Sequence, residues 1–133
     1  MTVKVEFIED APITVYHYPE KLESTLELKD AVIEATNHNK EISNPVIWVI
    51  HNTSQLKINF SSLIMALVAL TKEGPEGFDD PRLRIAAVST SELIKLAARS
   101  ASQQQYGGWK VLIFDTYEEA LTYAREDLKQ QST

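Results

Sequence analysis

The chain is 133 residues long, contains no cysteine and carries a formal net charge of −6 from 13 basic and 19 acidic residues. The absence of cysteine excludes disulfide bonds, thiolate metal sites, iron–sulfur ligation and a cysteine nucleophile. The acidic balance argues against a nucleic-acid-binding module, because phosphate contacts need clustered lysine and arginine. With 44% hydrophobic residues, the chain is expected to form a single domain, residues 1–133, around one core.

The first seven residues alternate polar and apolar side chains and lack the charged start and apolar stretch of a signal peptide. The longest apolar run is Leu63–Leu70, which is far shorter than the roughly 20 residues that span a bilayer. The sequence therefore predicts a cytoplasmic protein with no membrane span.

The first half of the chain reads as a hairpin, a helix and a buried strand. Alternation over residues 3–7 predicts a strand with one wet face, and a turn at Glu9–Pro12 leads to a second β-rich segment at Ile13–Tyr18. A helical stretch follows at Ser24–Asn39. Val46–Ile50 is an unbroken apolar segment, typical of a strand that is buried on both faces of a parallel sheet.

The second half alternates helices and strands. The predicted elements are a helix over Phe60–Lys72, a strand over Leu83–Val88, a helix over Glu92–Gln105, a strand over Trp109–Phe114 and a last helix from Tyr117. The complete order, ββαβαβαβα, predicts an α/β domain with a mainly parallel five-stranded sheet and one antiparallel edge strand.

The starts of the four predicted helices differ in charge. Three have capping-box spacing, a hydroxyl followed three residues later by a glutamate, in the pairs Ser24 with Glu27, Ser89 with Glu92 and Thr116 with Glu119. The helix after the third strand begins with Asn59, Ser61 and Ser62 and has no acid there. Its positive end and free amides favour a bound anion or an added phosphate. Alternatively, Asn59 or Ser61 simply caps the helix.

Ligands of open α/β sheets bind beyond the carboxyl ends of the strands, and polar residues follow those ends here. The candidates at this rim are His51, Asn52, Ser89, Thr90 and Asp115. A Ser61–His51–Asp115 arrangement would make the protein a small hydrolase. That hypothesis ranks behind the others, because any such fold places polar residues at its strand ends.

Common cofactor and metal motifs are absent from the sequence. Its four glycines form neither phosphate-binding loop, and there is no G-x-S-x-G nucleophile elbow. His17, His38 and His51 occur singly, without metal-ligand spacing. We therefore expect no metal and no cofactor, with His17 structural and His38 interacting with the dipole at a helix C-terminus.

Residues 63–70 are apolar around the whole circumference of the predicted helix, although a helix that covers a sheet needs one apolar stripe. The second apolar face requires cover from neighbouring helices, a second copy of the chain or a lipid-like ligand. The candidate interface residues are Leu63, Ile64, Leu67 and Leu70. These options predict, respectively, a buried helix, a homodimer and a carrier of an apolar small molecule.

The element order, together with four segments of the second half, resembles STAS-like domains, in the group similar to the sporulation anti-anti-sigma-factor protein. The segments are Arg84–Val88, Gln105–Gly108, Val111–Phe114 and Glu118–Leu121. The resemblance covers nearly all of the chain and implies a regulatory domain that binds proteins rather than an enzyme.

In regulatory members of that family, a partner kinase phosphorylates a serine or threonine at the start of the helix after the third strand. The matching segment here is Asn59–Leu63, in which the hydroxyls of Ser61 and Ser62 match. The aspartate that precedes the family's hydroxyl is absent, and Leu63 replaces the glycine that follows it. The first hypothesis is therefore a non-enzymatic, homodimeric interaction module with a regulatory partner or kinase, and an apolar-ligand carrier is second.

Overall fold

The computed structural model describes residues 3–22, 25–59, 61–62, 82–101 and 110–131. The elements in chain order are β1 (Lys4–Phe7), β2 (Ile13–His17), α1 (Thr25–Asn39), β3 (Ile47–Asn52), β4 (Leu83–Val88), α2 (Glu92–Ala101), β5 (Val111–Phe114) and α3 (Tyr117–Gln131). The predicted start at Ser24, residues 63–72 of the predicted second helix, residues 102–105 and Trp109 lie outside the described residues.

The strands form one sheet in the order β1-β2-β3-β4-β5. The hairpin strand β1 pairs antiparallel with β2, and the remaining neighbours are parallel. This arrangement confirms the predicted α/β fold with one antiparallel edge strand. Its physical basis is the connection length, since a short turn can join only antiparallel strands, whereas parallel strands need a long crossover.

The two faces of the sheet are covered by different helices. On one face, Leu28, Val32 and Ala35 of α1 pack on Tyr16 and Val49. Because the parallel strands follow one another in sequence order, right-handed crossovers place the connecting helices α1 and α2 on this same face. Helix α3 follows β5 and does not connect two strands of this sheet, so the rule for right-handed crossovers does not determine its face.

Helix α3 packs on the opposite face of the sheet. Ala120 and Ala124 are buried there against Val15, Ile50 and Val88. Two alanines let the helix backbone approach the strands closely. Since β3 therefore has helices on both sides, the unbroken apolar pattern predicted for it agrees with the complete burial of Ile47–His51.

Strand β3 ends at Asn52, two residues later than the sequence predicts. It continues because its neighbours continue: His51 and Asn52 stay in register with Tyr16 and His17 of β2. Beyond the strand, Thr53 N–H donates to the Val88 carbonyl over 3.1 Å. His51 and Asn52 are consequently strand residues with opposite orientations, rather than loop residues.

None of the helices in the described ranges is long and apolar enough to cross a membrane.

Candidate functional site

Backbone hydrogen bonds bring the predicted rim together at the carboxyl-terminal edge of the sheet. Tyr18 N–H donates to the Asn52 carbonyl over 3.1 Å, and Ser89 N–H donates to the Phe114 carbonyl over 3.0 Å. The Thr53 hydroxyl also donates to the Val88 carbonyl, at 2.8 Å. The rim side chains therefore lie on a surface whose backbone is tied from strand to strand.

His51 points into the core from this edge. Its Nδ1 is hydrogen-bonded to the Tyr18 hydroxyl at 2.8 Å, and the Tyr16 ring lies against it with a centroid separation of 4.8 Å. Burial lowers the pKa of His51 to about 4, because the cationic ring would lose its hydration. Burial also raises the pKa of Tyr18, so both partners of this bond are neutral.

The Ser61–His51–Asp115 arrangement is not assembled in the described contacts. The Nδ1 atom of His51 is bonded to Tyr18, whereas Asp115 is exposed and lies 4.0 Å from the Lys95 ammonium. A catalytic histidine needs its base nitrogen within reach of the nucleophile and its other nitrogen held by an acceptor. The bond to Tyr18 instead gives the buried His51 ring a hydrogen-bond partner inside the core.

Asn59 caps the helix that begins after β3. Its Oδ1 accepts the Ser62 backbone N–H at 2.8 Å, and Ser61 and Ser62 are helical. This bond to the Ser62 backbone amide agrees with the interpretation that Asn59 caps the helix. Ser61 is exposed and Ser62 is partly buried. The interface candidates Leu63, Ile64, Leu67 and Leu70 lie outside the described residues, so the homodimer and the apolar carrier remain predictions.

Replacing Asn59 with alanine is expected to lower the free energy of unfolding by about 1 kcal/mol, because the Ser62 amide loses its acceptor. Asn59→Asp is the matched control: it keeps the oxygen, places a negative charge at the helix start and should retain full stability. Urea unfolding measures both variants. Equal stability of Asn59→Ala and the unchanged protein would contradict the capping role.

At the starts of α2 and α3, hydroxyl oxygens accept backbone N–H groups. Thr116 Oγ1 accepts Glu119 N–H at 3.2 Å, as its capping-box spacing predicts. At α2 the prediction is wrong by two residues: Ser91 Oγ accepts Ile94 N–H at 3.4 Å, whereas Ser89 Oγ accepts Ser91 N–H at 3.0 Å. The chain turns once more after β4 before α2 begins. Ser89 is buried, and Thr90 is exposed.

His17 lies beside the same edge, on the face covered by α3. Its Nε2 is 2.8 Å from Glu6 Oε1, its Nδ1 is 3.1 Å from Asn52 Nδ2, and its ring meets Tyr117 edge-on. The sequence indicates only a structural histidine here. The sequence signal for the contact between Glu6 and His17 was the alternation of side chains, which puts both residues on the same face of the hairpin. His38, by contrast, stacks on Phe7 with ring centroids 3.7 Å apart.

A cleft of about 480 Å³ opens at the other end of the sheet, between the hairpin turn, the segment before β3 and the end of α3. Pro12, Pro45 and Leu128 contribute to its walls. At its mouth Arg125 Nη1 lies 3.1 Å from Asp10 Oδ2, and this guanidinium lowers the pKa of Asp10. Both partners face water, so the pair contributes little to stability. The sequence analysis missed this cleft, because it forms only between distant segments.

In the described ranges, no three histidine, aspartate or glutamate side chains lie together as metal ligands would. The chain matches no protein-family model, and no curated protein or solved structure matches it. The resemblance to STAS-like domains therefore stays a prediction from the sequence.

Proposed function

We propose that the protein is a non-enzymatic protein-interaction module whose regulatory position is Ser61. The observation that carries the proposal is an exposed hydroxyl in the first turn of a helix that a neutral side chain, Asn59, caps. The first turns of α1, α2 and α3 all carry glutamates: Glu27 in α1, Glu92 in α2, and Glu118 and Glu119 in α3. The start at Asn59–Ser62 has none.

A phosphate on Ser61 would meet a favourable local field. It adds about −1.5 to −2 charges at pH 7, and the helix N-terminus stabilises negative charge. The capping amide of Asn59 competes for one backbone donor and brings no charge of its own. On a chain of net charge −6, the added phosphate would strengthen the repulsion of acidic partners and create a contact point for arginine.

The contacts of the neighbouring rim support binding rather than chemistry. Thr53, Ser89 and Ser91 use their hydroxyl oxygens to close backbone turns or strand ends. His51 is bonded inside the core. These side chains shape the edge and leave Ser61 as an exposed hydroxyl at a helix start.

We further propose that the partner is, in the first instance, a second copy of the chain. Self-association gives a direct test that needs no unknown component. Ser61→Glu is expected to raise the dissociation constant of the dimer by about tenfold or more. In a two-fold symmetric contact both subunits carry the added negative charge, and the two charges repel each other. Sedimentation equilibrium over a concentration series measures the dissociation constant.

Two variants control that experiment. Ser43→Glu adds the same charge at an exposed serine in the loop before β3, at the opposite edge of the sheet, and should leave the dimer unchanged. Ser61→Ala removes the hydroxyl without adding charge and should behave as the unchanged protein. A protein that stays monomeric at every concentration, or equal effects of Ser61→Glu and Ser43→Glu, would contradict the proposal.

A further inference from the structure

A continuous chain of side-chain hydrogen bonds links β1, β2, β3 and the loop that leaves β3. Glu6 Oε1 lies 2.8 Å from His17 Nε2, and His17 Nδ1 lies 3.1 Å from Asn52 Nδ2. On the other side of the Asn52 amide, Oδ1 accepts the Ser54 hydroxyl at 2.7 Å and the Ser54 backbone N–H at 3.3 Å. The second of these bonds closes an Asx turn at the start of the loop.

The donors and acceptors along this chain determine the state of His17. A backbone N–H can only donate, so Ser54 requires the oxygen of the Asn52 amide on its side. The amide nitrogen therefore faces His17 Nδ1, which must accept. The remaining ring nitrogen, Nε2, carries the hydrogen and donates to Glu6. His17 is thus a neutral imidazole in one defined tautomer.

We propose that His17 is a proton switch for the loop after β3, acting through the Asn52 amide. When a proton from water binds Nδ1, the new N–H meets the amide N–H of Asn52, and the two donors repel. Rotation of the amide by half a turn relieves the conflict, because Oδ1 then accepts from Nδ1. The amide nitrogen now faces Ser54, whose hydroxyl can accept but whose backbone N–H cannot. The Asx turn therefore opens.

The groups around His17 permit this transition. The side chain is 32% exposed, so a proton can arrive from solvent. From β1, the facing charged groups are the Glu6 carboxylate, 2.8 Å from Nε2, and Lys4, the cross-strand partner of His17. From α3, Tyr117 presents a neutral ring, because burial and the nearby carboxylates of Glu6 and Glu118 raise its pKa. From β3, the facing group is the uncharged Asn52 amide.

The opened turn lies at the head of a short, hydrogen-bonded loop. Leu56 N–H donates to the Thr53 carbonyl at 3.0 Å, and Lys57 N–H donates to the Glu20 carbonyl at 2.7 Å. The same loop ends at the capping residue Asn59. The Asx turn at Ser54 and the cap at Asn59 are therefore the two ends of one loop. The switch itself requires no assumption about phosphorylation or dimerisation.

Nuclear magnetic resonance of the ¹⁵N-labelled protein tests the switch between pH 8 and 5, the interval in which histidine side chains generally change charge. At pH 8 the His17 ring nitrogens should show the Nε2–H tautomer. On acidification, the Asn52 side-chain amide and the Ser54 backbone amide should shift with the same midpoint as His17. The hydrogen-exchange protection of Ser54, relative to its intrinsic rate, should fall by about tenfold, as expected for one lost hydrogen bond.

Three variants make the result decisive. Asn52→Asp supplies a carboxylate that accepts from Ser54 whether His17 is neutral or charged, so the Ser54 transition should disappear. His17→Gln should also remove it, and His38→Gln should preserve it. The proposal is overturned by an Nδ1–H tautomer at pH 8, by a His17 titration that Ser54 does not follow, or by a Ser54 transition that survives in Asn52→Asp. His17→Gln alters the hairpin and could misfold. Asn52→Asp lies outside the hairpin, so it still tests the proposal in that case.

Discussion

Lowering the pH from about 6.5 to 4 is expected to destabilise the protein by about 3 kcal/mol through His51 alone. Burial lowers the pKa of this ring to about 4 from the 6.5 of an exposed histidine, and each pKa unit corresponds to about 1.36 kcal/mol. Between these two pH values the unfolded chain binds more protons at this position than the folded protein does. Stability is therefore complete above the unfolded pKa and is lost as the pH falls through the folded one.

Urea unfolding at pH 6.5, 5 and 4 measures this loss, and the comparison with His51→Gln isolates it from the titration of other groups. A glutamine oxygen can still accept the Tyr18 hydroxyl, so the variant keeps the buried bond and removes the titrating ring. Between pH 6.5 and 4, we expect the free energy of unfolding of His51→Gln to fall by about 3 kcal/mol less than that of the unchanged protein. His38→Gln, which removes a surface histidine, should retain the full slope. Parallel curves for the unchanged protein and His51→Gln would show that His51 is not buried as described.

Replacing Trp48 with alanine is expected to cost about 3–5 kcal/mol of the free energy of unfolding. Trp48 is buried between β3 and α3, and its indole N–H donates to Asp127 Oδ2 at 2.9 Å. The substitution removes the largest side chain between β3 and α3 and leaves the Asp127 oxygen without this donor. The loss combines a cavity with a lost hydrogen bond, and both act at the same contact.

Two matched variants separate these contributions. Trp48→Phe keeps most of the apolar volume and removes the donor, so it should cost about 1–2 kcal/mol. Tyr123→Ala truncates the neighbouring ring, which meets Trp48 edge-on but is 47% exposed, and should cost less than about 1 kcal/mol. Circular dichroism during urea unfolding measures all three. An equally small loss for Trp48→Ala and Tyr123→Ala would contradict the role of Trp48 in holding α3 against the sheet.

The protein's local patterns were sufficient to predict the fold class. The unbroken apolar segment Val46–Ile50 indicates a strand covered on both faces, and the structure places β3 between α1 and α3. The alternation over residues 3–7, followed by a turn, predicts the antiparallel edge. The cap at Thr116 was likewise readable, because a capping residue and its amide partner are three residues apart in the sequence.

Contacts between strands were not readable in the same way. The bond between Tyr18 and His51 joins residues 33 apart, and that between His17 and Asn52 joins residues 35 apart. Both depend on the parallel register that aligns Tyr16 with His51 and His17 with Asn52. A shift by one residue would turn each side chain to the other face of the sheet. No local pattern carries that information.

Within the described ranges, the amino-acid sequence alone therefore determined which segments become helices and strands, because hydrophobic period, turn residues and caps act over a few neighbouring residues. Only the tertiary structure decided what each histidine does: His51 became a buried neutral ring bonded to Tyr18, His17 the centre of a hydrogen-bonded chain and His38 a ring stacked on Phe7. The physical reason is that ionisation and hydrogen bonding depend on burial and on partners that strand pairing brings together from distant parts of the chain.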